Sequence, residues 1–209
     1  MFSLKKIPLR KYIMKTIKNI IKETLLFVWE VLKIALIAVA IVIPIRYFIF
    51  QPFVVKGASM EPNFFNSDYL IVDEISYRFR PPERGEVVVF RYPGNPSQRF
   101  IKRIIGLPGE TIKINQGRIL ISKNGQSWIL DETSYLSETF LPLKNLELSL
   151  KQDEYFVLGD NRAHSFDSED WGPLPRNYII GRVVFRALPF TSLAKIEIPR
   201  YSLIRVINN

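Results

Sequence analysis

The sequence predicts a mainly β protein, with one N-terminal transmembrane helix followed by an antiparallel, multi-sheet, barrel-like β domain. Three observations predict it. A basic stretch precedes an apolar run of membrane length, and short segments rich in Val, Ile, Phe and Tyr follow that run. Gly, Pro and Asn separate those segments where hairpins would turn. With 47% hydrophobic and 23% charged residues over 209 positions, the chain has the balance of a folded domain rather than a disordered one.

Residues 1–24 carry Lys5, Lys6, Arg10, Lys11, Lys15, Lys18 and Lys22 against Glu23 alone. The positive-inside rule assigns such a segment to the cytoplasm. Much of the net charge of +9 is therefore topological, and no nucleic-acid partner is expected. Residues 25–50, LLFVWEVLKIALIAVAIVIPIRYFIF, exceed the roughly 20 residues that a helix needs to cross a bilayer core. Ile34 to Ile45 is the cleanest part, and Lys33 and Arg46 can snorkel from its ends to the interfaces. A removable signal peptide has a similar pattern, but AIVIPIRYFIFQPF contains no clear small-x-small cleavage site. The expectation is a retained, single-pass anchor in the cell membrane, with the N-terminus cytoplasmic and residues 51–190 extracytoplasmic.

Within 51–190, the segments DYLIVDEI (68–75), EVVVFRY (86–92), FIKRIIG (100–106), TIKIN (111–115), RILIS (118–122), EYFVLG (154–159) and IIGRVVFRAL (179–188) read as strands. Asn115-Gln116-Gly117 and Asn124-Gly125 read as hairpin turns. Nothing between the strands reads as a crossover helix, which disfavours a parallel α/β sheet. Residues 123–152 are more polar and are expected as an insertion or a strand pair with long loops. The tail, 191–209, holds one weak strand-like stretch, YSLIRVI.

The absence of cysteine removes disulfides, thiolate metal sites and a cysteine nucleophile, and a single histidine, His164, rules out a multi-histidine metal centre. No metal or organic cofactor is expected. Ser59, in GASMEP (57–62), is either a turn residue or a nucleophile, and a nucleophile needs a base. His164 with Asp167 would form a triad. A lysine three positions on is excluded, because Pro62 stands there. The third option is Lys102. If FIKRIIG is extended, Phe100, Lys102 and Ile104 share one face and Ile101, Arg103 and Ile105 the other. Between two apolar neighbours, desolvation would lower the lysine pKa and leave part of it neutral near pH 7. A lysine snorkelling from a strand edge is the plainer alternative. A third segment, VLGDNRAHSFDSEDWGPLP (157–175), concentrates Asp160, Asn161, Arg162, Ser165, Asp167, Ser168 and Trp171 directly after a strand.

Together these segments resemble the bacterial type I signal peptidases, membrane-bound serine–lysine proteases, over about residues 50–189 besides the anchor. GASMEP is similar to the family's serine motif, FIKRIIGLPGE to its lysine motif, and GDNRAHSFDSEDWG to its last box. The resemblance implies Ser59 as nucleophile and Lys102 as general base. It further implies that Ser165 orients the lysine, that Asp167 is structural, and that Arg103 and Asp160 form a supporting ion pair. Gly57, Ala58 and Met60 would contribute to the oxyanion hole and substrate cleft, with the Ser59 N–H as oxyanion donor. Departures from the family pattern are Asn63 after Pro62, Ala163 and His164 in the last box, and Glu169 where an arginine often pairs with the aspartate; Arg162 or another cation could supply that support instead. The implied partners are exported preproteins with small residues before the cut, and the lipid bilayer. Phe53, Phe64 and Phe65 are expected either at the lipid interface or in the core. Two rivals remain at this level: a self-cleaving serine–lysine protease, and an inactive membrane-tethered module that binds peptides.

Overall fold

The computed structural model describes residues 9–48, 50–136, 144–199, 201 and 203–205. They fall into two units, Met1–Tyr47 and Phe48–Asn209. The first is a single helix, α1 (Leu9–Phe48), which begins within the basic segment ahead of residue 25. Its stretch Tyr12–Ile43 is long and apolar enough to cross a membrane. Leu26, Phe27, Trp29, Ile34 and Leu36 are all exposed on it. That much uncovered apolar surface is stable in lipid but costly in water. Glu30 and Lys33 face each other at 2.7 Å, so the two charges inside the run partly cancel.

The second unit is built from thirteen strands among the described residues. The larger sheet contains β1 (Phe50–Val54), β2 (Tyr69–Asp73), β3 (Val87–Tyr92), β4 (Asn95–Gly106), β9 (Glu154–Leu158), β10 (Leu174–Pro175), β11 (Ile179–Leu188) and β12 (Ala194–Lys195). Its order is β1-β2-β11-β3-β4-β9-β10, with β12 beside β11. The path is open, so the unit is a multi-sheet β fold without a closed barrel. The smaller sheet runs β13-β7-β6-β5-β8, from β5 (Thr111–Asn115), β6 (Arg118–Lys123), β7 (Gln126–Leu130), β8 (Leu146–Ser149) and β13 (Leu203–Arg205). All the pairings are antiparallel.

The alternating strands bury one or both faces as their sequences predict. Ile112, Ile114, Ile119 and Ile121 form the inner face of the smaller sheet, against Phe156 and Leu158. The two expected hairpins close β5–β6 and β6–β7. Gln116, Gly117, Asn124 and Gly125 all have positive φ, the conformation that a two-residue primed turn requires. Three elements differ from the expectation. Phe50–Val54 is a strand although it adjoins the apolar run; Pro52 is tolerated because β1 lies at the sheet edge. The segment 123–152 supplies β7 and β8, which pair with β6 and β5 rather than with each other. In the tail, Leu203–Arg205 joins β7 as the edge of the smaller sheet. Residues 137–143, part of the expected insertion, lie outside the described residues.

Candidate active site

Strand β4 carries the site. Lys102 is opposite Val88 on β3, and Arg103 is opposite Val87 and, on the other side, Leu158 of β9. Successive side chains point to opposite faces, so the two cations are separated by the sheet. Lys102 shares its face with Phe100 and Ile104; Phe100 stacks on Tyr92 at 5.0 Å and meets Phe90 edge-on. This aromatic wall leaves Lys102 only 4% exposed.

The turn carrying Ser59 follows β1. Gly57 adopts φ +91°, which favours glycine, and its N–H donates to Asn66 Oδ1 at 3.0 Å. Two bonds from Asn161 hold the next carbonyls: its side-chain amide donates to Ala58 O and its N–H to Ser59 O, each at 3.1 Å. The Ser59 N–H has no acceptor among the described residues, so it is free for a developing oxyanion. Met60, expected in the cleft, is instead fully buried in the core with Phe64 and Leu70. Its role is to seat the turn, because an apolar side chain of that size gains more from burial than from lining an open groove. Phe64 is likewise a core residue, under Arg186, which excludes it from a lipid interface. Phe65 is exposed, and Phe53 packs partly on the same core and lines the cleft.

The structure brings Lys102 Nζ to 2.5 Å from Ser59 Oγ. Burial pushes the Lys102 amine down to about 8, against the opposing fields of Asp167 and Asp160. At pH 7.4 such an amine is roughly one-fifth neutral, where a free lysine is neutral about one part in a thousand. His164 lies on the rim of the same cleft, but its Nδ1 contacts Asn161 Oδ1 at 3.2 Å, and no bond joins it to Asp167. The triad option therefore lapses.

The last box supports this pair from behind. Asp160 accepts two bonds from Arg103, from Nε at 2.8 Å and Nη2 at 2.6 Å. Asn63, one of the departures, donates to the same carboxylate at 2.9 Å, so an amide fills that position with a defined partner. Asp167 is held by backbone amides: Gly159 N–H at 2.9 Å and Glu169 N–H at 3.2 Å. It also caps the short helix α2 (Ser168–Trp171). Arg162, one of the two options for supporting Asp167, is engaged elsewhere. It is paired with Glu132, with Nη1 at 2.7 Å and Nη2 at 2.5 Å, and its Nε donates to Gly159 O. Glu169 stands beside Asp167; burial, and then the charge of Asp167, pushes its carboxyl up to about 6. Ser165 reaches the site but makes no bond to Lys102; its buried hydroxyl has no partner among the described residues.

Two functional positions were missed in the sequence. Asn161 was visible only as one of several polar residues in its run. Gly159 has no side chain because none fits: a Cβ there would lie 2.2 Å from Ser165 Oγ and 2.5 Å from Ser59 O. A cleft of about 700 Å³ opens beside the pair, walled by Phe53, Gly57 and Ala58 on one side and by residues 97–102 on the other. Among the described residues, both walls present unpaired strand edges: β1 pairs only with β2, and β4 meets β9 only from Arg103 onward.

Residues 28–188 match the family described as "Signal peptidase, peptidase S26". The chain belongs to the signal peptidase family. Among its relatives, Signal peptidase I of Leptolyngbya laminosa is 40% identical over 174 residues, covering 78% of this chain and 81% of that protein. Probable signal peptidase I-2 of Synechocystis is 40% identical, over 77% of this chain and 73% of its own length. Signal peptidase I of Bacillus amyloliquefaciens is 34% identical, over 78% and 86%. The match covers the serine turn, β4 and the last box, the three segments that meet at the cleft in this member of the family.

Proposed function

We propose that the chain is a membrane-bound serine endopeptidase that removes signal peptides, with Ser59 as nucleophile and Lys102 as general base. The observation that carries this reading is the buried amine 2.5 Å from the hydroxyl, depressed to about 8. The neutral amine takes the Ser59 proton as Oγ attacks the scissile carbonyl. The Ser59 N–H receives the negative charge that develops on the carbonyl oxygen. Lys102, now an ammonium, protonates the leaving amine; it then activates the water that hydrolyses the acyl-enzyme. Gly57 has no side-chain hydroxyl and its N–H is engaged by Asn66, so the Ser59 N–H is the donor left to this step.

A precursor would bind in the cleft as an extended strand between the two free edges, where backbone bonds supply affinity and the shallow walls select small side chains. The anchor would hold the N-terminus in the cytoplasm and the β unit on the opposite side, where exported preproteins emerge.

Incubating the full chain in detergent with a model precursor tests the assignment. Wild type should release the signal peptide and Ser59→Ala should not. Binding without turnover by the wild type would leave a peptide-binding module, and cleavage of the chain alone would leave a self-processing protease. The pH dependence has a fixed sign. Only the neutral amine is active, so kcat/KM should rise about tenfold per unit below the pKa of about 8 and level off above it. A profile flat from pH 6 to 9 would reject a titrating Lys102.

A further inference from the structure

The segment after residue 188 lies outside the family match, yet its Tyr201 packs against Tyr135 and Gly85, which flank Arg103 behind the dyad. Tyr201 sits edge-on to Tyr135 at 5.7 Å, and the Tyr135 ring lies 4.2 Å from the Arg103 guanidinium carbon. Tyr201 also touches Gly85, where an added Cβ would lie 2.5 Å from Tyr201 Cε2, 3.1 Å from Ile198 and 3.2 Å from Pro199. Gly85 in turn offers its carbonyl to Arg103 Nη1 at 2.9 Å. Ile198 and Pro199 form the outer wall of a groove of about 570 Å³ whose floor includes Arg103 and Tyr135. Every ligand of Arg103 other than Asp160 is thus backed by the tail.

We propose that the C-terminal tail, through the ring of Tyr201, is a positioning element that holds Arg103 on Asp160 and so keeps Lys102 in register with Ser59. Arg103 and Lys102 are adjacent on β4, and Asp160 and Asn161 are adjacent in the last box. Asn161 holds the Ser59 turn through two bonds. Tightening Arg103 against Asp160 therefore clamps the lysine strand to the segment that holds the serine. A cation and carboxylate packed against aromatic rings, away from water, keep a stronger and less mobile bond than a hydrated pair. Loosening the clamp shifts Lys102 relative to Ser59, and a misplacement near 1 Å can cost up to about 10²-fold in rate.

This proposal rests on the Ser59–Lys102 reading, and the test separates the two. Full-length wild type, Tyr201→Phe and Tyr201→Leu are assayed on a model precursor, below the onset of each variant's own thermal unfolding. Turnover by the wild type and its absence in Ser59→Ala test the dyad; the ratios among the Tyr201 variants test the tail. The ring makes the contacts, so Tyr201→Phe should retain kcat. Tyr201→Leu should lose roughly tenfold in kcat with KM unchanged, because none of the described tail residues lines the cleft. Equal kcat in all three overturns the proposal, and so does a loss in Tyr201→Leu that appears in KM alone. Failure of Tyr201→Phe to restore kcat also overturns it, since the ring is then not the operative group.

Discussion

Lys102→Met should abolish turnover, by at least about 10⁴-fold in kcat/KM, while leaving a folded and more heat-resistant protein. Methionine fills the slot between Phe100 and Ile104 with an unbranched apolar chain of similar length, so the strand and its pairings have no reason to change. What disappears is the only amine within reach of the Ser59 hydroxyl among the described residues. The stability gain follows by linkage. A lysine whose folded pKa lies near 8, against 10.5 when free, binds its proton less well folded than unfolded. That difference opposes folding fully below pH 8 and fades as pH rises through 10.5. Removing it at pH 7 should add on the order of 1–3 kcal/mol. Peptide release measured beside a thermal melt checks both halves. An active variant would reject Lys102 as base, and an inactive but destabilised one would show that the amine helps to hold the fold.

Asp160→Ala should be the most damaging replacement in the last box. Asp160 is fully buried and Arg103 is 3% exposed, so the variant leaves a guanidinium stranded away from water with the Gly85 carbonyl and one aromatic face. Stranding one partner of a buried pair costs about 3–5 kcal/mol. A drop in melting temperature of roughly 6–20 °C follows for a domain of this size. The double replacement Arg103→Met with Asp160→Leu should recover most of that loss, since apolar residues can substitute for a buried pair. Asp160 also raises the Lys102 pKa. Its removal therefore shifts the rising limb of the pH–rate profile to lower pH. A melt within about 1 kcal/mol of wild type would show that the pair is hydrated in solution.

Part of this site was legible in the residues. Period-two alternation in FIKRIIG separates Lys102 from Arg103 because the pleat alone decides which face a side chain takes. The turn chemistry of Asn115-Gln116-Gly117 and Asn124-Gly125 pins two hairpins for a similarly local reason. The placement of polar partners was not legible. Asp167 takes backbone amides rather than Arg162, and Arg162 takes Glu132, thirty residues away. A carboxylate accepts whichever donor the packed chain brings within about 3 Å, and composition does not record that distance. The family resemblance assigns Met60 to the cleft, yet the turn rotates it into the core.

By itself the sequence determined the long apolar helix, the strand-rich unit and the residue types able to perform serine–lysine chemistry, because hydrophobic period, turn residues and charge act over a few neighbouring positions. Only the tertiary structure decided which amine meets Ser59, how Asp160 and Asp167 are satisfied, and that Tyr201 packs on the Tyr135 ring beneath Arg103. Those contacts join positions tens of residues apart and depend on how the sheets pack. Burial sufficient to turn an ordinary lysine into a base exists only once that packing has excluded water.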